Sequence, residues 1–284
     1  MREQVVRFGN GDCLVGILTE PGSGLRSTTK PNVLLWNVGI HHRVGPNRIF
    51  VDLARELAGR GFVCLRFDIS GLGDSEASRS DAESDKVRAC EDIRAAIQLV
   101  SEKTKNPHAL LIAFCSGVDA AHAIATTDAR VVGYVSIEGY RYKTPGYYGR
   151  FPKRYADVSR WERLLRLRFP RLLPPEMRVL ATSTKGQVFI RELVTLDQFR
   201  LDVRSMLARG TKLLFVFAGR DATYAYRTQL HDALADANLS KGLDIRYYPD
   251  ADHMFFIQAH RERVIQDISQ WAAEHFESSS SSTP

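Results

Sequence analysis

Cysteine is scarce and scattered. The four residues Cys13, Cys64, Cys90 and Cys115 make no C-x-x-C pair and no spaced ligand cluster, which argues against a structural zinc site or a disulfide framework. Free thiols in a reducing, cytoplasmic setting are the simplest expectation. Long apolar runs are also missing: nothing approaches the ~20 residues needed to span a bilayer. The opening MREQVVRFGNGD has no hydrophobic region of the kind a secretory signal requires. Charge is only modestly one-sided, at +6 over 284 residues. Such an excess favours acidic partners without implying nucleic-acid binding, for which no recognition motif accompanies the arginines.

What is present is a rhythm of short apolar runs and helical patterns. Val5–Phe8 and Cys13–Leu18 flank Gly9–Asp12 as an opening hairpin. Asn32–Trp36, Phe62–Phe67, Leu110–Phe114, Val131–Ile137, Leu213–Phe217 and Leu243–Tyr248 are mostly continuous rather than alternating, as strands covered on both faces are. Between them apolar residues recur at helical spacing, as in Ile49, Phe50, Leu53 and Leu57, or Val87, Cys90, Ile93, Ile97 and Val100. Further helices are expected over Gly117–Thr126, Arg191–Leu207, Tyr226–Ala237 and Arg261–His275. This alternation points to an α/β fold with a mostly parallel central sheet flanked by helices. The expected organisation is a core over 1–138 and 191–277, a cap or lid insertion over 139–190, and a disordered tail over 278–284.

The chemistry gathers around LLIAFCSGV, Leu110 to Val118. A nucleophile leaving a strand into a helix sits on a turn so tight that its neighbours two positions away must be small. Centred on Cys115, the frame has Ala113 and Gly117 as flanks; centred on Ser116, it has Phe114 and Val118. Cys115 is therefore the better nucleophile, although the stretch alone also fits a buried cysteine ending a strand. Asp221 follows Leu213–Phe217, and His253 follows Leu243–Tyr248, so both should reach the same sheet edge. An imidazole between a thiol and a carboxylate suits covalent catalysis: the carboxylate fixes the tautomer and the imidazole moves the thiol proton. Asp250 and Asp252 are alternative acids, less favourable because they lie so near His253.

Strand, nucleophile, helix, then Asp, then His is an order that resembles the α/β-hydrolase superfamily over essentially the whole chain. Phe67-Asp68-Ile69-Ser70-Gly71-Leu72-Gly73-Asp74-Ser75 resembles that family's Asp-x-x-Gly-x-Gly-x-Ser turn. Trp36-Asn37-Val38-Gly39 resembles its oxyanion loop, with asparagine where histidine is common. The resemblance implies a Cys115–His253–Asp221 triad, with oxyanion donors from the Ser116 backbone amide and from Val38 or Gly39. The loop from Gly39 to Arg48 is similar to that of serine aminopeptidase-like and exopolysaccharide-associated bacterial hydrolases, some with cysteine at the same turn. There His42, Arg43 and Arg48 are candidates for meeting an anionic substrate group or for structural support. Bracing through the Asp68 turn is expected of Arg48.

Cysteine in place of serine widens the chemistry. An S-acyl intermediate is attacked readily by amines, alcohols and thiols as well as by water. Cysteine also occurs here in dienelactone-hydrolase-like enzymes and polyester synthases of the superfamily. The expected activity is hydrolysis of an ester or thioester, or acyl transfer from one, with no cofactor. A non-catalytic binding or scaffolding protein of the same fold is the competing expectation. Ten Lys or Arg residues lie between Arg141 and Arg171 against Asp157 and Glu162, a surface suited to an acyl-carrier protein or a coenzyme A thioester, or simply a solvated basic face. Tyr140, Tyr142, Tyr147, Tyr148 and Trp161 are candidates for an acyl pocket.

Overall fold

A computed structural model describes residues 1–39, 41–77, 82, 84–155, 193–221 and 223–276. The elements are β1 (Arg2–Phe8), β2 (Leu14–Glu20), β3 (Asn32–Trp36), α1 (Ile49–Gly59), β4 (Cys64–Phe67), α2 (Asp85–Thr104), β5 (Ala109–Phe114), α3 (Val118–Thr127), β6 (Val131–Ile137), α4 (Pro145–Tyr155), α5 (Leu196–Ala208), β7 (Lys212–Ala218), α6 (Gln229–Leu234), α7 (Ala237–Lys241), β8 (Leu243–Tyr248) and α8 (Gln258–Phe276). The strands form one eight-stranded sheet in the order β1-β2-β4-β3-β5-β6-β7-β8. The β1–β2 and β2–β4 pairs are antiparallel, and every later pair is parallel.

The continuous apolar strands are buried on both faces because helices cover both. Leu110, Ile112 and Phe114 of β5 join one core with Ile49, Phe50 and Leu53 of α1 and Val264, Ile268 and Trp271 of α8. Leu111 and Ala113 face the other core, with Ile93 and Ile97 of α2, Val118 and Ile124 of α3, and Phe199 and Val203 of α5. Successive residues of a strand point to opposite faces, so both helical layers lock the register of β5. Ser84 starts α2 by accepting from the Val87 amide, and Thr195 starts α5 by accepting from Gln198, each satisfying a backbone donor that the first turn leaves unpaired. The helix expected over Tyr226–Ala237 is confined to Gln229–Leu234: it ends where Ala235 takes φ +52°, and Asp236 then caps a separate short helix, Ala237–Lys241.

Tyr140 and Tyr142 pack against Phe199 of α5, and Tyr140 is 2% exposed. Tyr140 is therefore part of the core, and Tyr142, half-buried, packs against it. Much of the expected cap, Trp161 and the arginines beyond residue 155 included, lies outside the described residues, as does the 278–284 tail. Among the described residues no helix is long and apolar enough to cross a membrane.

Candidate active site

In a parallel sheet all the strands end on one edge, where ligands commonly bind. Here β3, β4, β5, β6, β7 and β8 deliver Asn37–Gly39, Asp68, Cys115, Glu138, Asp221 and His253 to that edge in turn.

Cys115 follows β5 directly and has φ +50°. This left-handed conformation is costly for a residue with a Cβ and marks a position that the surroundings enforce. The following turn, Cys115–Gly117, leads straight into α3. Gly117 is small for a measurable reason: a Cβ there would lie 2.9 Å from the Asn37 carbonyl oxygen and 3.2 Å from Trp36 Nε1. The thiol is partly exposed and hydrogen-bonds to His253.

His253 is aimed by its loop. Asp252 accepts from the Met254 amide at 2.9 Å and from the Phe256 amide at 3.1 Å, and Phe255 anchors the loop edge-on against Phe114 and Tyr248. Asp252 is thus committed to backbone amides, and Asp250 is exposed. The loops after β7 and β8 are tied by the Gly219 amide on the Tyr248 carbonyl and the Arg220 amide on the Ala251 carbonyl, at 2.8 and 3.0 Å. Gly219 has no room for a side chain, since a Cβ would lie 2.5 Å from Pro249.

The carboxylate nearest the imidazole differs from the sequence expectation. Glu138 Oε2 lies 2.7 Å from His253 Nδ1, whereas Asp221 Oδ2 is 3.8 Å away. Glu138 follows β6 directly, beside the nucleophile strand. It has φ +55°, is fully buried, and accepts the Ala218 amide through Oε1. Asp221 turns to its own loop: Oδ1 accepts from the Thr223 amide and hydroxyl at 2.8 and 2.6 Å, and Oδ2 meets Arg141. Burial pushes the Asp221 carboxyl up, but the Thr223 and Arg141 contacts outweigh it and leave the group below the usual carboxylate range. Burial likewise opposes charging of His253, yet its bonds to Cys115 and Glu138 win and raise it to about 9.

Neither Glu138 nor Arg141 stands out as a site residue in the sequence. Arg141 reads there as one of many basic residues of the insertion, yet its side chain is 13% exposed and inside the site. Glu138 does carry a signal, a carboxylate immediately after the buried run Val131–Ile137. Only the strand order makes that signal useful, by setting β6 next to β5.

The two expected oxyanion donors are not equivalent. The Val38 amide donates to the His41 carbonyl at 3.2 Å. The Gly39 amide donates to the Ser116 hydroxyl oxygen at 2.8 Å, and so reaches the same turn as the thiol. Asn37 braces this loop: its side-chain amide donates to Asp68 Oδ1 at 3.0 Å, and its Oδ1 accepts the Ile69 amide. Arg43 performs the bracing expected of Arg48. Its guanidinium bridges Asp68 and Asp74 and its amide donates to Asp68 Oδ1 at 2.7 Å. Arg48 points elsewhere, 62% exposed and 3.9 Å from Asp52 one helical turn on. His42 is exposed.

Glu138, Asp221 and His253 are also spaced closely enough to surround a metal ion. The Arg141 guanidinium already contacts all three, and a cation there disfavours a second one.

No curated protein sequence matches the chain. Among solved structures it is similar to an esterase of Pyrococcus furiosus, at 15% identity and TM-score 0.62 over 98% of this chain and 92% of that one. The esterase domain of a Rhodothermus marinus protein superposes with TM-score 0.57 at 19% identity, over 96% and 99% of the two chains. A thioesterase domain from the curacin biosynthetic pathway does so with TM-score 0.57 at 13% identity, over 96% and 100%. At these identities the likeness is one of fold. The family model described as "Alpha/beta hydrolase family" matches residues 34–267, a span reaching from the strand before the Gly39 loop to the helix after His253, and by that match the chain belongs to the alpha/beta hydrolase family.

Proposed function

We propose that this protein is a cysteine-dependent hydrolase or acyltransferase that acts on an ester or thioester through an S-acyl intermediate. One observation carries the reading: Cys115, on a left-handed turn between strand and helix, hydrogen-bonds to an imidazole whose Nδ1 lies 2.7 Å from the buried Glu138. In this reading Glu138, rather than Asp221, is the orienting acid.

His253, raised to about 9, takes the thiol proton on Nε2 while Glu138 holds the other ring proton on Nδ1, so the resting pair is a thiolate beside an imidazolium. The thiolate attacks the carbonyl carbon, and a C–S bond forms as the carbonyl π pair moves onto oxygen. The carbonyl oxygen becomes an oxyanion beside the Ser116 amide, the backbone donor of the residue after the nucleophile. The Gly39 amide is the second donor, once the oxyanion displaces the Ser116 hydroxyl from it. Collapse breaks the bond to the leaving group, which takes the Nε2 proton. A water, amine, alcohol or thiol then gives its proton to Nε2 and attacks the S-acyl carbon, and collapse breaks the C–S bond, releases the product and restores the thiolate beside the imidazolium.

The fold-level similarity to esterases and a thioesterase domain supports the substrate class without choosing an acyl length. An acyl-carrier protein or coenzyme A thioester remains a proposed partner on the basic composition of 139–190 alone. The test measures release of p-nitrophenol from a short acyl ester, and of thiol from the matching thioester, with hydroxylamine added as a competing acceptor. Turnover abolished in Cys115→Ala, with hydroxamate formed at the expense of free acid, is the expected result. Unchanged turnover in that variant refutes the reading.

A further inference from the structure

Arg141 lies three residues beyond Glu138, where the chain leaves β6, and its guanidinium turns into the site. Nη1 meets Asp221 Oδ2 and donates to the Thr223 hydroxyl at 2.9 Å. Nη2 donates to the Glu138 carbonyl at 3.0 Å, and lies 3.1 Å from Glu138 Oε2 and 2.9 Å from His253 Nδ1. A cation so close to a catalytic imidazole has a direct consequence. A neutral ring nitrogen carries either a proton or a lone pair. Nδ1 therefore donates to Glu138 or accepts from Arg141, never both. Once the imidazolium has given a proton to the leaving group, the first state leaves Nε2 free to take the acceptor's proton. The second puts the ring proton on Nε2 and removes the base. The position of the guanidinium thus biases the tautomer of His253, and Asp221 with Thr223 holds that position.

We propose that Arg141 and Asp221 are a positioning pair: Asp221 holds the guanidinium by Nη1 and balances its charge, so that His253 Nδ1 stays with Glu138, and Asp221 thus acts on the imidazole through Arg141. The proposal rests on the reading of Cys115 and His253 given above. It also explains why a carboxylate in the loop after β7 stands 3.8 Å from the imidazole while bonded closely to Thr223 and Arg141. The groups facing His253 are the Cys115 thiol after β5, Glu138 and Arg141 after β6, and Asp221 after β7. The remaining walls include the Phe114 ring, which meets the imidazole edge-on at 5.8 Å.

The test is a double-mutant cycle on the full chain with Asp221→Asn, Arg141→Met and both together. Asparagine keeps an oxygen to accept from Thr223 and puts an NH2, which cannot accept from Arg141, in place of the charged Oδ2. Turnover of a p-nitrophenyl ester should fall about 10- to 100-fold in Asp221→Asn, because the released guanidinium competes for Nδ1. In the Arg141→Met background the same change should cost less than about threefold. A loss beyond about 100-fold in both backgrounds would make Asp221 the direct partner of the imidazole, and no loss in either would leave the pair without a role; each result overturns the proposal. Titration of His253 by 15N NMR gives an independent reading. Its midpoint should move down by about one pH unit in Asp221→Asn, where the cation is unopposed, and up by about one in Arg141→Met, where two carboxylates remain. The double variant should return towards the wild type. Shifts in the same direction in both single variants would indicate loosened packing and overturn the proposal. This titration needs no turnover, so it stands or falls separately from the S-acyl reading.

Discussion

Replacing Glu138 by glutamine removes one charge from a fully buried position and little else. Glutamine retains an oxygen to accept the Ala218 amide, but its NH2 then faces His253 Nδ1 and donates to it. The imidazole is driven to the tautomer with its proton on Nε2, which cannot take the thiol proton. The imidazolium also loses its counter-charge. For full unit charges at the observed 2.7 Å, an effective dielectric of about 20 gives about 6 kcal/mol. Spreading the imidazolium charge over the ring reduces this to about 4 kcal/mol, a factor near 10³ in rate. The assay is kcat/KM for a p-nitrophenyl ester between pH 5 and 10, with thermal unfolding as the control for folding. The expected outcome is a loss of about 10³-fold, with the His253 midpoint displaced downward from about 9. A loss under tenfold, together with inactivity of Asp221→Asn, would restore Asp221 as the orienting acid and refute this reasoning.

Gly73→Ala should destabilise the fold by about 2–4 kcal/mol in urea unfolding, because it adds left-handed strain and displaces a buried carboxylate. The position has φ +56°, and a Cβ would lie 2.4 Å from the Asp68 carboxylate; a loss below about 1 kcal/mol would contradict this. Cys115→Ser should fold with little change but lose about 100-fold or more in turnover, since a hydroxyl yields its proton less readily to the same imidazole. Equal turnover would show that the thiol is dispensable. His253 is raised to about 9 in the folded protein, above its unfolded value near 6.5, so the folded state binds the proton more tightly. The stabilisation is fully present below about pH 6.5 and is lost as pH rises through about 9. The gap in unfolding free energy between wild type and His253→Gln should therefore narrow from pH 6 to pH 9.5, and a widening gap would contradict the sign.

The fold is legible because strands covered on both faces leave unbroken apolar runs, and Val131–Ile137 and Asn32–Trp36 appear at the expected bounds. The nucleophile turn is legible for a steric reason: Gly117 abuts the Asn37 carbonyl, so a small residue there reports the turn itself. Helix α1 is likewise announced by Ile49, Phe50, Leu53 and Leu57, all fully buried. The acid is less legible. Asp221 and Glu138 both follow buried strands, and local sequence carries no measure of which carboxylate lies nearer Nδ1. That difference depends on where Thr223 and Arg141 pull Asp221. The same limit applies to Arg43 and Arg48, five residues apart in one loop. Backbone turning at Gly45, Asn47 and Arg48, all at positive φ, separates the arginine that reaches Asp68 from the one left in solvent.

Covalent trapping tests the central claim most directly. The full chain is mixed with a short activated acyl ester, quenched in acid, and followed by intact-mass spectrometry and peptide mapping. An acyl group added to Cys115 in the wild type, and absent from His253→Gln, is the expected result. No adduct, an adduct on Ser116, or one that forms equally without His253 would contradict it.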